Sequence, residues 1–228
     1  MAWLVLWDID HTLIDTRGVG RELSASAFER ATGRPMREQA KIDGITEPVI
    51  FRETAKLHGL VTARPDFERF AEALADEHVR RAEDLRARGQ ALPGAAAALD
   101  ALDAAGLQQT VVSGNIRPAA EIKLRVFGLD RHIRWDLGAY GEDDDTRAEL
   151  VRLSLQRAGA TAADSVLIGD TPADVEGAHA NGVRVIAVAS GRSDEATLRG
   201  TRAEAVLPDL RDTELLVKLV RGDDRRSA

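Results

Sequence analysis

The sequence predicts an α/β protein, a doubly wound parallel sheet with a block of helices inserted after the first strand. The first observation is an apolar run, Leu4–Trp7, which has the length and bulky composition of a buried strand. The second is that few strand-like runs appear between Asp15 and Gln90, where apolar and charged residues recur at helical spacing. The third is that apolar runs alternate with helical segments from Leu92 onward. That alternation is typical of a Rossmann-like sheet.

The order of these elements predicts two domains. Because the first strand belongs with the later strands, the predicted core domain comprises residues 1–15 and 90–228, and residues 16–89 form an all-helical cap domain. Glycine stop signals and a Thr-Glu-Pro start signal at 46–48 mark helix ends within the cap. The predicted cap helices are Gly18–Thr32, Glu47–His58 and Asp66–Arg88.

In the core domain, an Ala-rich helix opens at Leu92-Pro93-Gly94 and ends near Gly106. The strands predicted after it are Leu107–Val112, Ile133–Leu137, Val166–Ile168, Val183–Val188 and Ala205–Leu207. The helices predicted between and after these strands are Pro118–Phe127, Arg147–Ala158, Pro172–Ala180 and Asp212–Val220. We expect the last residues, Gly222–Ala228, to form a frayed polar tail.

Composition excludes several classes of function. The 228 residues carry a net charge of −7 with no basic block, so nucleic acid is not an expected partner. The absence of cysteine excludes disulfides, thiolate catalysis and zinc–thiolate sites. No stretch has the pattern of a signal peptide or a membrane span, so we expect a cytoplasmic protein without membrane contact. The sequence does not indicate an oligomeric state.

Two carboxylates, Asp8 and Asp10, follow the first strand directly. Strand periodicity puts them on one side of the chain, at the edge where open α/β sheets bind ligands. Two carboxylates this close repel each other unless a cation or a proton lies between them, and a hard divalent ion such as Mg²⁺ prefers oxygen ligands. The alternative is that both side chains are simply solvated in a surface loop.

A second candidate site, Ser113-Gly114-Asn115, follows the next core strand and leads into a helix. Backbone N–H groups at such a turn, together with the helix N-terminus, form a pocket for an anion. The alternative is that Ser113 and Asn115 only cap the helix, which these residue types often do.

A third candidate site is the helix start Thr146-Arg147-Ala148-Glu149, which fits a capping box. Arg147 lies in the first turn, where a cation opposes the helix dipole, so contact with an anion at the strand ends would explain its position. Alternatively, Arg147 is solvated and pairs with the acidic run 142–145. Lys123 is the rival cation, although its position in mid-helix favours a packed or solvated side chain.

The fourth candidate site follows the strand Val166–Ile168 and comprises Gly169 to Asp174. Thr171 and Asp174 fit a helix cap and its partner, but capping does not account for Asp170. A carboxylate at the strand end is what a metal shared with Asp8 requires. The five histidines are scattered without metal-ligand spacing, and only His11 lies near this proposed chemistry.

Taken together, the four sites resemble the four ordered motifs of the haloacid dehalogenase superfamily, and the closest likeness is to its phosphoglycolate-phosphatase-like branch. The helical block resembles that superfamily's helical cap, in which Gly44-Ile45-Thr46-Glu47-Pro48 is similar to a Gly-x-Thr-Asp segment with Glu47 in place of Asp. Two other positions depart from the family pattern, since His11 stands where glycine is common and Arg147 replaces the more usual lysine.

The resemblance implies a Mg²⁺-dependent phosphatase that acts on a small phosphorylated metabolite. Asp8 would be the nucleophile that takes the phosphoryl group, and Asp10 would protonate the leaving group and later activate water. Arg147 would complete the catalytic set. The phosphate-binding residues would be Thr12, Ser113, Gly114 and Asn115, and the Mg²⁺ ligands would be Asp8, Asp10 through its main-chain carbonyl, Asp170 and, in support, Asp174.

Three other functions remain open. A phosphosugar mutase of the same superfamily would return the phosphoryl group to its substrate. A dehalogenase would act at carbon, although that branch lacks the second aspartate, here Asp10. A non-catalytic binding protein could keep the fold, but the presence of Asp8, Asp10 and Asp170 weighs against it.

Overall fold

A computed structural model describes residues 4–191 and 193–222. The strands are β1 Leu4–Trp7, β2 Ile14–Asp15, β3 Gln90–Ala91, β4 Gln108–Val111, β5 Ser165–Gly169, β6 Arg184–Val188 and β7 Ala205–Leu207. The helices are α1 Val19–Thr32, α2 Glu47–Leu57, α3 Arg64–Arg80, α4 Ala82–Arg88, α5 Ala95–Ala104, α6 Arg117–Val126, α7 Arg147–Ala158, α8 Pro172–His179, α9 Glu195–Arg199 and α10 Thr213–Arg221, with a short 3₁₀ turn at Ala162–Asp164.

The core is a five-stranded parallel sheet in the order β4-β1-β5-β6-β7. β1 lies between β4 and β5, with Leu4 opposite Gln108 on one side and Ser165 on the other. All four residues of β1 are buried, because helices cover both faces of the sheet. The residues that follow β1, β4 and β5 therefore emerge side by side at one edge.

The two faces of the sheet have separate apolar cores. Val5 and Trp7 point to the face that α5, α6 and α10 cover, whereas Leu4 and Leu6 point to the face that α7 and α8 cover. This alternation follows from the two-residue period of a strand. Helices on both faces of a parallel sheet confirm the predicted doubly wound α/β class.

Helices α1 to α4 have an apolar core of their own, in which Phe28, Phe51, Phe67 and Phe70 contact one another. Ile116 and Ala119 from the start of α6 pack against this core. The antiparallel pair β2–β3 connects the two passages of the chain between the helical block and the sheet. The division into a core domain of residues 1–15 and 90–228 and a cap domain of residues 16–89 stays a prediction. The pair β2–β3 lies at the predicted boundary between the two.

The predicted strand over Ile133–Leu137 is wrong. Ile133 forms a single bridge with Gln109, and the Arg134 N–H then donates to the Gln109 carbonyl before the chain turns. Ile133 is buried and Trp135 packs partly against the same core, so the apolar pattern reflects packing rather than a ladder.

The helix predicted over Asp66–Arg88 is two helices, α3 and α4, separated at Arg81, which leaves helical geometry at φ −112° and ψ 25°. The strands β2 and β3 and the helix α9 were not predicted, because each is five residues or shorter and has no apolar period of its own. The predicted polar tail lies outside the described residues apart from Gly222, which ends α10 in a left-handed conformation. Within the described ranges, the chain contains no helix with the length and apolar character needed to cross a bilayer.

Candidate active site

The carboxyl edge of the sheet brings the four sequence motifs around one cavity of about 140 Å³. Asp8 and Asp10 follow β1, Ser113 follows β4, and Asp170 follows β5, while Arg147 enters from the first turn of α7. Thr12 and Asp174 contact these residues from behind the cavity wall. Every predicted site residue is therefore at or directly beside this cavity. Their assigned roles stay predictions at this point.

Three buried carboxylates, Asp8, Asp170 and Asp174, each present an oxygen within 4.8 Å of the others. Burial and the neighbouring negative charges raise the pKa of Asp8 to about 7. Burial and the charges of Asp8 and Asp174 likewise raise the pKa of Asp170 to about 9. The ionised cluster is thus costly without a counter-charge.

The donor set of this cluster fits a hard divalent ion, because all three groups offer carboxylate oxygens. Asp174 supplies an independent observation. Its Oδ2 accepts hydrogen bonds from the Thr171 hydroxyl and backbone N–H, at 2.7 and 3.1 Å. Its Oδ1 is buried and accepts no hydrogen bond among the described residues, although Arg147 Nη2 lies 3.0 Å away. The group that approaches this buried oxygen is itself a cation, so the position favours positive charge.

Arg147 is the cation closest to Asp8. Its Nη2 donates to Asp8 Oδ1 at 2.9 Å, and its Nη1 donates to the Val112 carbonyl at 2.8 Å. The side chain is only 9% exposed, so the guanidinium is held between the end of β4 and the carboxylate cluster. These contacts, rather than solvation, explain why Arg147 occupies the first turn of α7, where its charge opposes the helix dipole.

Asp10 turns away from the carboxylate cluster and toward Lys123. Lys123 Nζ lies 2.9 and 2.7 Å from the two carboxylate oxygens of Asp10, and 2.6 Å from Asn115 Oδ1. Asn115 Nδ2 also donates to Asp10 Oδ2 at 2.7 Å. Burial favours a raised pKa for Asp10, but Lys123 and Asn115 outweigh burial and lower it. Whether the main-chain carbonyl of Asp10 binds metal stays a prediction.

Lys123 is the site residue whose place the sequence did not reveal. It lies in mid-helix on α6, is 6% exposed and lines the cavity. Its spacing from Asn115 was the available signal. Lys123 lies about two helical turns after Asn115, so both side chains are expected on the same side of α6. Its contact with Asp10 leaves Arg147 as the cation that contacts Asp8.

Thr12 and Ser113 complete the polar lining. The Thr12 hydroxyl lies 3.2 Å from Asp8 Oδ2 and 3.3 Å from Asp170 Oδ1, so its single hydrogen can serve either carboxylate. Ser113 Oγ accepts from the backbone N–H and Nδ2 of Asn115, at 3.2 and 2.7 Å. The hydroxyl hydrogen of Ser113 is then free to donate toward a ligand.

The segment Gly44–Glu47, which leads into α2, lines the cavity. Glu47 N–H donates to the Gly114 carbonyl at 2.9 Å. Gly44 has φ +69°, and a Cβ placed there would lie 2.4 Å from the Ala173 Cβ. Glycine at 44 is therefore favoured both by backbone conformation and by close packing against Ala173 at the start of α8.

His11 occupies a turn, as expected, in the left-handed conformation at φ +66°. Its N–H donates to the Ile14 carbonyl, and its own carbonyl accepts from the Ser190 hydroxyl at 2.7 Å. These bonds tie the loop after β1 to the loop after β6, and the His11 residue lines the cavity.

Comparison with protein-family models identifies the family of this chain. A model described as haloacid dehalogenase-like hydrolase matches residues 5–179, and a second model, HAD-hydrolase-like, matches residues 146–213. The chain belongs to the haloacid dehalogenase-like hydrolases. The resemblance drawn from the four motifs and the prediction of a hydrolase are both confirmed.

Three similar proteins illustrate the range of this family. The chain is 28% identical over 197 residues to the tyrosine-protein kinase PtkA of Mycobacterium tuberculosis, a match that covers 82% of this chain and 62% of that protein. It is 29% identical over 216 residues to a 5'-nucleotidase of Pseudomonas aeruginosa, covering 90% of this chain and 91% of the other. A hydrolase from Pseudomonas syringae has the same fold, with a TM-score of 0.69, 21% identity and coverage of 98% and 99%.

Proposed function

We propose that this haloacid dehalogenase-like hydrolase is a Mg²⁺-dependent phosphatase that acts on a small phosphorylated metabolite through an aspartyl phosphate at Asp8. The observation that carries this proposal is that Asp8 belongs to a metal-competent carboxylate cluster and contacts a guanidinium, while a second carboxylate, Asp10, lines the same cavity. The 5'-nucleotidase relative supports a phosphate-ester substrate. A cytoplasmic location is part of the same proposal.

The main obstacle to this reaction is charge, because a carboxylate must approach a dianionic phosphate ester. Asp8, Asp170 and Asp174 would hold the Mg²⁺, with the carbonyl of Asp10 as a further ligand. The ion supplies Lewis-acid stabilisation of the phosphoryl oxygens. Arg147 adds a permanent positive charge beside Asp8 Oδ1, since arginine does not lose its proton at physiological pH.

In the first half-reaction, a carboxylate oxygen of Asp8 attacks phosphorus and the bond to the ester oxygen breaks. Asp10 in its acid form gives its proton to that leaving oxygen, which departs as an alcohol. In the second half-reaction, Asp10 takes a proton from water as the water oxygen attacks phosphorus. The bond between phosphorus and Asp8 then breaks, which releases inorganic phosphate and restores the aspartate.

The phosphoryl oxygens would be bound at the end of β4. The Ser113 hydroxyl is available as a donor because Asn115 already occupies its acceptor side. Thr12, Gly114 and Asn115 complete this proposed phosphate site. Lys123 acts through Asp10, whose ionised form it stabilises for the second half-reaction.

The test is phosphate release from a panel of phosphate esters, including phosphoglycolate, sugar phosphates and nucleoside monophosphates, with Mg²⁺ and with EDTA. Release that requires Mg²⁺ supports the proposal. Isomerisation of a sugar phosphate without phosphate release would indicate a mutase instead. Halide release from a haloacid in the presence of EDTA would indicate a dehalogenase, and binding without any turnover would indicate a binding protein.

A further inference from the structure

Two residues of the helical cap that line the cavity each carry a buried side-chain atom without a hydrogen-bond partner among the described residues. Glu47, the first residue of α2, has a buried Oε2 atom that accepts no hydrogen bond among the described residues. His78 on α3 is 2% exposed, and its Nε2 is equally without a partner. Both residues line the cavity that contains Asp8. Buried acceptors without donors are costly, so a ligand that donates to them would be favoured.

The protonation state of His78 is set by its other nitrogen. Nδ1 lies 2.8 Å from the Leu74 carbonyl, which can only accept, so Nδ1 carries the hydrogen and Nε2 presents a lone pair. Burial and the nearby charge of Lys123 lower the pKa of His78 to about 4, which keeps the ring neutral. His78 is therefore an acceptor and not a donor at this wall of the cavity.

The position of both acceptors relates them to the leaving group. Glu47 and His78 line the same cavity as Asp10 and Lys123. Burial and the charges of Asp10 and Glu142 raise the pKa of Glu47 to about 7, against the opposite effect of Lys123. Asp10 is the residue that would protonate the leaving oxygen. The part of the substrate beyond that oxygen therefore extends past Asp10 toward Glu47 and His78.

Lys123 offers no donor to this part of the substrate. An ammonium group has three hydrogens, and Lys123 Nζ already contacts both oxygens of Asp10 and Oδ1 of Asn115. The pocket lining has more negative than positive residues. Its carboxylates are Asp8, Asp10, Asp43, Glu47 and Asp170, and its cations are Arg21, Lys123 and Arg147. Arg21 is exposed, so water screens its charge.

We infer that the leaving group of the substrate is an uncharged, hydroxyl-bearing group, as in a phosphorylated polyol, sugar or nucleoside, whose hydroxyls donate to Glu47 Oε2 and His78 Nε2. This inference rests on the proposed phosphatase function and names its substrate class. A carboxylate at the same place, as in phosphoglycolate, would bring a negative charge toward Glu47. Its two oxygens are hydrogen-bond acceptors and would face the two acceptors Glu47 Oε2 and His78 Nε2.

A matched pair of two-carbon esters tests the inference. 2-Hydroxyethyl phosphate and phosphoglycolate differ only in a hydroxymethyl against a carboxylate. We expect wild-type kcat/KM to favour 2-hydroxyethyl phosphate by at least about tenfold, the scale of a lost or mismatched polar contact in a binding site. Both esters are assayed at about pH 8.5, where Glu47 is ionised despite its raised pKa of about 7. The isosteric Glu47→Gln then removes the charge, and we expect the preference to fall by about tenfold.

The control is Glu53→Gln, on the same helix as Glu47 but about half exposed and paired with Lys56 outside the cavity. It should leave the preference unchanged. The inference is overturned if wild type favours phosphoglycolate, or if Glu47→Gln leaves the ratio of the two kcat/KM values as in wild type.

Calorimetric binding of the two esters to the wild-type chain separates this inference from the proposed function. If neither these two esters nor any ester of the wider panel releases phosphate, the phosphatase proposal fails. Tighter binding of 2-hydroxyethyl phosphate would still support the assigned acceptors, and tighter binding of phosphoglycolate would overturn them.

Discussion

Arg147 Nη2 lies 2.9 Å from Asp8 Oδ1 and joins the first residue after β1 to the first turn of α7. Because the same nitrogen is 3.0 Å from Asp174, one guanidinium counters two of the three clustered carboxylates. The pairing is buried, so water does not weaken it as it does at a surface. Arg147 therefore combines the charge neutralisation expected of the third motif with a fixed position beside the proposed nucleophile.

Replacement of Arg147 should reduce activity more than replacement of Lys123. Arg147→Ala removes the charge beside Asp8, and we expect kcat/KM to fall about 10²–10³-fold, as for loss of a donor that stabilises transition-state charge. Lys123→Ala should have a smaller effect because Lys123 contacts Asp10 and Asn115 and not the proposed nucleophile. Steady-state kinetics of both variants provide the measurement, with Arg147→Lys as the control that keeps a cation. A larger loss for Lys123→Ala would move the third motif to that residue.

The carboxylate cluster predicts an unusual pH dependence of stability without metal. The raised pKa values of Asp8 and Asp170, about 7 and about 9, mean that the folded state binds protons more tightly than the unfolded state. This contribution to stability is present below the ordinary aspartate pKa near 3.8 and is lost as pH rises through 7 to 9. In EDTA, each kcal/mol lost lowers Tm by about 2–4 °C.

Thermal melts at pH 5 and pH 8, each with EDTA and with Mg²⁺, measure this effect. We expect Mg²⁺ to raise Tm more at pH 8, because protons compete less strongly for the carboxylates there than at pH 5. Asp170→Asn is the control, which should raise Tm in EDTA at pH 8 and remove most of the response to Mg²⁺. A wild-type response to Mg²⁺ that is larger at pH 5 would contradict the cluster as the metal site.

Close packing of the segment Gly44–Glu47 against the start of α8 should be needed for turnover. Gly44→Ala introduces a Cβ that meets Ala173, so the segment Gly44–Glu47 must shift away from the cavity. Gly59→Ala is a matched control, because Gly59 has nearly the same φ, +67°, but open space around it. Both variants should lose about 1 kcal/mol of unfolding free energy from the left-handed backbone.

Only Gly44→Ala should lower kcat/KM, by about 10²-fold if the cap residues move by about 1 Å. Kinetics and denaturant melts of the two variants decide the point. Equal kinetic losses would show that backbone strain, and not closure of the cap over Ala173, limits the reaction.

The sheet and its edge could be predicted because they depend on local patterns. The apolar run before Asp8 and the strand before Asp170 each specify a buried strand, and parallel strands must release their following residues at one edge. Arg147 was predicted from its unfavourable place in the first turn of α7, which its contact with Asp8 now explains. Motif order along the chain was thus enough to name the core of the candidate site.

The side chains that helices bring to the cavity could not be predicted in the same way. Lys123, Glu47 and His78 come from three different helices, and their contacts depend on tertiary packing that no local period encodes. The wrong strand at Ile133–Leu137 has the same origin, since its apolar residues pack individually rather than along a ladder.

The central claim is that Asp8 carries the phosphoryl group during turnover, and rapid acid quench followed by mass spectrometry of the peptides tests it most directly. The wild-type chain, mixed with Mg²⁺ and its best substrate, should gain one phosphoryl group on the peptide that contains Asp8, and Asp8→Asn should gain none while keeping its fold and losing turnover. Turnover by Asp8→Asn close to wild type, or a phosphoryl group on another residue, would contradict the account.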